Sequence, residues 1–170
     1  MIEPVRICAD YFADGTTGVN ALLAAVDLDT GDTVPPDLAQ VLDDTRYGVV
    51  ARRRWNASLE TAPSLLVYDA GAQWQAPHVG KQDGTARVGV YYLVEDSDSA
   101  AGVEDAHYTL RAVRQAVSDL AGATSAARTR NGIIVTDLQT VEDMPADVEI
   151  DGVLIAGAMR ITWRVRDTAP

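Results

Sequence analysis

Few residues of this chain could act as a nucleophile or as a general base. The histidines are His78 and His107, and the single cysteine is Cys8. Cys8 lies on an apolar helical stripe, which predicts a small buried hydrophobe rather than a reactive thiol. His107 follows Ala106 at the edge of another such stripe, so a structural role is favoured over that of a base. Because no G-x-S-x-G, P-loop or G-x-G-x-x-G pattern occurs either, the sequence predicts neither an enzyme nor a cofactor site.

Three aspartates, Asp27, Asp29 and Asp32, have part of the spacing of a calcium-binding loop. An EF-hand places Asp or Asn at the fifth position of that loop, Gly at the sixth and Glu at the twelfth. Here the fifth residue is Gly31, the sixth is Asp32 and the twelfth is Leu38. The segment therefore predicts a turn that binds no metal ion.

Arg52, Arg53 and Arg54 form the densest basic cluster of the sequence, and Trp55 follows them directly. Arginine beside an aromatic ring is a pairing that nucleic-acid-binding proteins use. The chain as a whole carries a net charge of −11, with a pI of about 4.4, and such a protein repels nucleic acid. Ion pairing within the chain or across a subunit interface is the favoured interpretation, and a DNA contact is the alternative.

A second group of arginines lies near the C-terminus. Arg160, Arg164 and Arg166 stand at even spacings, so a strand would carry all three on one face. A solvated face is one interpretation, and pairing between subunits is the other. In the second case an acidic turn of a neighbouring copy, with Asp96 and Asp98, would supply carboxylates, which arginine binds in a bidentate way.

Trp74 lies in a polar stretch over 69–85 that has no helical or strand periodicity. A loop of this length is usually functional or mobile. If Trp74 is exposed there, it predicts a partner surface. The alternative is that its ring folds back onto the sheet, and the sequence leaves both interpretations open.

The elements that must position these residues centre on the stretch 86–121. Alternating apolar residues predict a strand over 86–94, and the run Glu-Asp-Ser-Asp-Ser after it predicts an acidic turn. A helix follows, because six apolar residues recur at steps of three and four, and Gly122 is a plausible stop. Those six are Val103, Ala106, Leu110, Val113, Val117 and Leu120. The pattern predicts one amphipathic helix lying on one sheet.

The flanking segments predict further elements. Helical spacing indicates two short N-terminal helices separated by 14–18, and Pro35-Pro36 predicts the start of another short helix through Leu42. Strands are predicted over 64–68 and 132–138, with an irregular link over 141–147. The last strand is assigned two faces by strict alternation. Val153, Ile155, Gly157, Met159, Ile161, Trp163 and Val165 are predicted on one face, and Leu154, Ala156, Ala158, Arg160, Thr162, Arg164 and Arg166 on the other.

Together these elements predict a single α+β domain over residues 1–170. Its architecture is a mainly antiparallel sheet with N-terminal helices and one long amphipathic helix packed on one face. A chain of 170 residues with 47% hydrophobic content can bury one full-sized core. One cysteine excludes an intramolecular disulfide, and no charged segment leads into a long apolar run. We therefore expect neither a signal peptide nor a membrane partner.

The order of the elements along the chain indicates more than the fold class. Two strands, Pro-Ser-Leu-Leu-Val-Tyr (63–68) and Arg-Val-Gly-Val-Tyr-Tyr-Leu-Val (87–94), precede a helix over 102–121. The chain closes on the strand Gly-Ala-Met-Arg-Ile-Thr-Trp-Arg-Val (157–165). This order resembles the tail terminator proteins of long-tailed bacteriophages, which are also called tail completion or tail-to-head joining proteins. The resemblance covers most of the chain and is architectural, without signature residues.

The resemblance implies a structural virion protein of the tail or neck, made in the cytoplasm of the host bacterium. Proteins of this family form a homohexameric ring that ends growth of the tail tube and joins the tail to the head connector. The implied partners are other copies of the chain, the tail tube protein, the connector or stopper protein, and genomic DNA that passes through the lumen without specific binding. The alternatives are another tail or neck component, such as a tail tube or head-closure protein, and a small ligand-binding α/β domain.

Overall fold

The structure is a computed structural model, which describes residues 1–43, 63–75, 82–95, 99–146, 148–150 and 153–168. The helices in this part are α1 (Ile2–Phe12), α2 (Val19–Leu23) and α3 (Ser99–Gly122). The strands are β1 (Gln40–Asp43), β2 (Ser64–Trp74), β3 (Gln82–Glu95), β4 (Thr129–Arg130), β5 (Ile133–Met144), β6 (Val148–Ile150) and β7 (Val153–Asp167). The long helix thus follows β3 and precedes the last four strands.

The strands form one sheet in the order β1-β2-β3-β7-β5-β4, and β6 pairs with the beginning of β7. β1 and β2 run parallel, whereas every other pair in the described part is antiparallel. All three helices contribute side chains to a core on one face of this sheet. The predicted α+β class is therefore confirmed, with a mainly antiparallel sheet, N-terminal helices and one long helix packed on one face.

Helices and sheet share one continuous hydrophobic core. Its largest fully buried members include Trp163, Tyr92, Tyr108, Phe12 and Leu120, which come from strands and helices alike. A smaller cluster lies apart from this core and contains Leu42, Leu66, Leu93, Val153, Ile155 and Ala158. These residues alternate along the strands with members of the main core, so they face away from the helices.

A tight turn separates α1 from α2. The carboxylate oxygen Oδ1 of Asp14 accepts hydrogen bonds from the backbone N–H groups of Thr16 and Thr17, each at 2.8 Å, and from both hydroxyl groups. These bonds, the Thr16 hydroxyl first among them, hold the pKa of Asp14 well below its usual range. Asn20 in α2 then bonds both backbone groups of Leu38, at 3.0 and 2.7 Å. The two predicted N-terminal helices are confirmed.

Helix α3 buries the stripe predicted for it, with one exception. Ala106, Val113, Val117 and Leu120 are buried, and Leu110 is half-buried against the core. Val103, which was predicted on the same stripe, is 50% exposed, and that prediction is wrong. Gly102, one residue before it, is buried against Val94 of β3, so Val103 lies at the edge of the stripe that α3 buries.

The two faces of β7 do not follow strict alternation. Tyr92 pairs with Gly157 and Leu93 pairs with Ile155, so Ala156 is an extra residue on β7. A one-residue bulge reverses the side of every residue before it. Val153 and Ile155 consequently lie in the smaller cluster, on the side away from the helices. The predicted face is wrong for 153–156 and correct from 157 onwards.

Three further element predictions are wrong. No helix follows Pro35-Pro36, because the chain there becomes β1, in which Leu42 pairs with Leu66. The link predicted over 141–147 is strand up to Met144, which pairs with Ala158. In the stretch 69–85, β2 continues to Trp74 and β3 begins at Gln82. Bulges at three positions of β2 and β5 interrupt the alternation that identifies a strand in sequence.

Candidate interaction surfaces

Cys8, the candidate nucleophile, and His107, a candidate base, lie in different environments. Cys8 is fully buried in the core. Burial raises the pKa of its thiol from 9.0 to about 12, and neighbouring Trp163 offsets part of that shift. The prediction that Cys8 is a small buried hydrophobe is therefore confirmed. His107 lies exposed on α3, with its ring edge-on to Tyr108 at a centroid distance of 5.2 Å.

The described part of the chain shows neither a cluster of metal ligands nor a membrane-spanning helix. Among the residues described there, no three His, Cys, Asp or Glu side chains gather closely enough to hold a metal ion. Asp29 and Asp32, candidates for a calcium loop, instead fasten the segment after α2 to α3: the Tyr108 hydroxyl donates to Asp32 and accepts from the Asp29 N–H. None of the helices described combines the length and the apolar content of a bilayer-spanning helix.

The three arginines of β7 lie on the sheet face opposite the helices, because residues 161, 163 and 165 between them belong to the helix-side core. We call Arg160, Arg164 and Arg166 the arginine face. Arg160 donates two hydrogen bonds to Glu142 Oε2, at 3.1 Å from Nε and 2.5 Å from Nη2. Arg166 Nε lies 2.7 Å from Asp83 Oδ1.

The remaining arginine of this face is paired more loosely. Arg164 Nη1 lies 3.8 Å from Asp137 Oδ2. The arginine face is therefore a row of cross-strand ion pairs in which β3 and β5 supply the carboxylates. Of its members, Arg166 shows a raised pKa, chiefly because of its hydrogen bond to Asp83. All of these side chains remain substantially exposed, so each pair contributes little to stability and stays accessible to a second partner.

Two tyrosines extend the arginine face towards β2. The rings of Tyr68 and Tyr91 have centroids 4.6 Å apart, tilted by 41°. Tyr68 packs across the bare backbone of Gly89, where any side chain would clash with its ring. Burial, then the hydrogen bond to Tyr91, raise the pKa of Tyr68, and nearby Arg160 offsets part of the shift. Aromatic rings and ion pairs thus share one surface, a composition typical of protein interfaces.

Trp74 combines the two arrangements that the sequence left open. It is the last residue of β2, it pairs with Gly84 on β3, and its ring lies against the Gly84 backbone. A Cβ atom on Gly84 would come within 2.7 Å of the ring atom Cε3. The side chain is nevertheless 38% exposed. Trp74 is therefore held in place by the sheet and still presents apolar surface to a partner.

A cavity in the described part lies between the first half of α3 and the β5–β7 pair, and we call it the α3 groove. Its volume is about 470 Å³. Apolar atoms line it from Val103, Ala106, Leu110, Met144 and Gly157, and the exposed side chains of His107, Arg111 and Arg114 stand at its rim. Arg114 pairs with Asp143 at 2.6 Å across the groove.

Several predicted site residues lie outside the described residues. They are Arg52, Arg53 and Arg54 of the basic cluster, Asp96 and Asp98 of the acidic turn, and His78. The structure therefore brings together Arg160, Arg164 and Arg166 on one face and places Trp74 at a strand end. The proposed pairing of these arginines with a neighbour's acidic turn stays a prediction.

Sequence reasoning missed the carboxylates that pair with the arginine face. Asp137 and Glu142 lie on a stretch of β5 that was assigned partly to a link, and Asp83 lies in the stretch assigned to a loop. The α3 groove was also missed, because it depends on the bulge that brings Ala156 to the helix side beside Gly157. Gly157 was an available signal, because a glycine in the interior of a strand often marks the close approach of another element.

Comparison of the sequence with known protein families finds no match, and comparison with curated proteins finds none either.

Proposed function

We propose that this protein is a structural virion component that assembles into a homo-oligomeric ring, caps the phage tail tube and joins the tail to the head connector. The observation that carries the proposal is the order of elements within one sheet: β2 and β3, the 24-residue helix α3, then β5 and β7. This is the order on which the resemblance to tail terminators rests. No catalytic step is part of the proposal.

The surface chemistry supports association rather than the enclosure of a small molecule. A ligand-binding domain is expected to surround its ligand with an apolar pocket and a few convergent polar groups. Here the α3 groove is open, its lining is polar and apolar in about equal measure, and the Arg114–Asp143 ion pair lies across it. The arginine face and Trp74 add exposed groups of the kinds that protein interfaces use.

Charge supports the passage of DNA through such a ring. Six copies of a chain with net charge −11 carry a formal charge of −66. An acidic lumen repels phosphates, so DNA would slide through without adhering. Genomic DNA is therefore a passing partner in this proposal, and the tail tube and connector proteins are the binding partners.

The test is the assembly state of the purified protein, alone and with tail tubes. We expect sedimentation velocity to show a closed oligomer, negative-stain images to show annuli, and tubes to carry the protein at one end. A tail tube protein would instead form long polymers. A monomer under all conditions, including with tubes present, would contradict the proposal, and saturable binding of a small metabolite would favour the ligand-binding alternative.

A further inference from the structure

The α3 groove is a partly apolar surface that the described chain leaves open. Val103, on one wall, is 50% exposed, although its position on the amphipathic stripe would place it in a core. On the floor, Gly157 allows α3 to approach the sheet, since a Cβ there would come within 2.7 Å of Leu110 Cδ1. At about 470 Å³, the groove falls within the roughly 300–1,000 Å³ range of small-molecule pockets, which is a size suited to an aromatic side chain.

The same chain offers an apolar group that such a groove could take. Trp74 is 38% exposed, and its ring is oriented by contact with the Gly84 backbone. An oriented aromatic side chain loses little conformational freedom on binding, which is one reason that tryptophan is enriched among interface residues that dominate affinity. The Trp74 ring is thus held in one orientation before it contacts a partner.

Trp74 cannot reach the groove of its own chain. It pairs with Gly84, whereas the groove floor at Gly157 pairs with Tyr92, eight residues further along β3. At about 3.3 Å per residue, the two sites lie roughly 26 Å apart along the strand direction. A contact between them must therefore join two molecules. Because it joins two different surfaces, repetition of the contact gives a closed ring or an open helical filament.

The rim of the groove matches an indole electrostatically. Arg111 is exposed there, and within the described part no carboxylate forms an ion pair with it, whereas Arg114 beside it pairs with Asp143. Tryptophan has the aromatic face to which arginine binds most favourably. An indole in the groove would bury its ring against Val103 and Leu110 and offer its face to the Arg111 guanidinium.

We propose that Trp74 of one copy binds in the α3 groove of the next copy, so that the protein associates head to tail. This inference rests on the proposed ring and specifies where its subunits meet. It assigns Trp74 as the projecting anchor and Val103, Leu110 and Arg111 as its receptor.

The first test uses two variants that each remove one side of the contact, Trp74→Ala and Val103→Asp. Each variant alone is expected to lose at least about tenfold in association strength, the effect of removing a central interface residue. Mixed together, they can form one intact contact, between Trp74 of the second variant and the groove of the first, and then stop at a dimer. Val34→Asp is the matched control, because Val34 is 59% exposed and lies outside the groove.

A second test does not depend on the strength of the contact. Gln73→Cys and His107→Cys in one chain, treated with a short bis-maleimide, should give a ladder of covalent oligomers, while either change alone should not, and His107 is exposed in the groove without belonging to the proposed receptor. Cys8 is buried and stays out of this reaction.

The outcomes separate this inference from the function on which it rests. Dissociated single variants, a dimer from their mixture and a ladder from the double-cysteine chain support it. Intact rings from Trp74→Ala and Val103→Asp, or no ladder from an assembled double-cysteine chain, would overturn the contact while leaving the ring in place. A wild type that never assembles would overturn the ring and the contact together.

Discussion

Gly157 of β7 lies directly beneath Leu110 of α3. A Cβ atom on Gly157 would come within 2.7 Å of Leu110 Cδ1 and 3.1 Å of Ala106 Cβ. The bulge residue Ala156 precedes this point, so the close approach of helix and sheet depends on a bulge and a glycine together. We expect Gly157→Ala to destabilise the fold by about 1–3 kcal/mol, the usual cost of overpacking.

Urea unfolding followed by circular dichroism would measure that loss. Gly122→Ala is the control, because a Cβ there meets no atom within 4 Å, and it should leave stability unchanged or slightly raised. Equal unfolding midpoints for Gly157→Ala and the wild type would show that α3 can move away from the sheet without cost.

The packing of α3 predicts a gradient of stability along the helix. Leu120 is fully buried near the C-terminal end, and Leu110 is half-buried beside the groove. Leu120→Ala should therefore cost about 2–5 kcal/mol, and Leu110→Ala less, because part of its side chain already contacts solvent. Val103→Ala, at the exposed end, should stay within about 0.5 kcal/mol of the wild type. The same unfolding experiment compares the three, and an equal loss at all positions would contradict the gradient.

The main elements were predictable because their patterns repeat. Val88, Val90 and Tyr92 alternate without interruption and all lie in the helix-side core. Val113 and Val117 keep helical spacing and are fully buried. In each case several residues carry the same signal, so no single exception could change the assignment.

Single-residue irregularities were not predictable. The bulge at Ala156 reverses the faces of 153–156, and nothing in the alternation of small and aliphatic residues marks it. In β5 two bulges break the alternation around Asp137 and Thr140. In β1, Leu42 becomes strand because Leu66 of β2 lies beside it, a tertiary contact that overrides the local helical signal after the two prolines.

The candidate surfaces also divide into features that a repeating pattern predicts and features that depend on tertiary contacts. The shared face of Arg160, Arg164 and Arg166 was predictable, since it requires only that β7 be regular after Gly157. The carboxylate partners depend on strand register, which the sequence does not contain in readable form. The groove depends on how closely α3 approaches the sheet at Gly157, and that distance is set by packing.

The buried thiol predicts a loss of stability at alkaline pH. The pKa of Cys8 is raised from 9.0 to about 12, and burial also raises that of Tyr92 from 10.0 to about 12. Above pH 9 the unfolded chain releases these protons before the folded chain does, so it binds fewer protons and the free energy of unfolding falls. Each group contributes a slope of up to about 1.4 kcal/mol per pH unit.

We expect stability to be insensitive to these groups below pH 9 and to decline between pH 9 and 12. Cys8→Ala should lower stability at neutral pH through the lost packing, yet its decline over that interval should be shallower. Parallel curves for variant and wild type would show that the thiol is not kept protonated by the fold. Thiol labelling by a chromogenic disulfide at pH 8 gives an independent measurement, and it should proceed only as fast as the chain opens.

The proposed structural role includes no catalytic step. It therefore predicts that the candidate nucleophile and bases are dispensable for assembly and tube capping. Cys8→Ala, His78→Gln and His107→Gln, combined in one chain, should retain assembly and tube capping, apart from the stability lost at Cys8. The measurement is the fraction of tubes capped at a temperature where the variant is shown to be folded. A folded triple variant that had lost a measurable chemical reaction of the wild type would contradict the proposal.

The arginine face predicts that assembly and folding respond differently to charge reversal. Arg160→Glu with Arg164→Glu breaks the pairs with Glu142 and Asp137 and places like charges opposite each other. The exposed Arg160–Glu142 pair contributes about 0.2–1 kcal/mol, so the chain should stay folded. Adding Glu142→Arg to Arg160→Glu should restore that pair and its stability.

A ring of these reversed chains should nevertheless shift towards monomer, because the subunit contact is proposed to use arginine of one copy against carboxylate of another. Moderate salt should act in the same direction on the wild type, since it screens exposed pairs. Arg6→Glu with Arg130→Glu is the matched control: it changes the net charge from −11 to −15 as well, but from positions on α1 and β4 rather than the arginine face. Sedimentation velocity at two salt concentrations compares the variants. Dissociation of the arginine-face variant alone would place a subunit contact there. Equal dissociation of both variants would attribute the effect to net charge. Two intact rings would leave the arginine face as a solvated row of ion pairs within each chain.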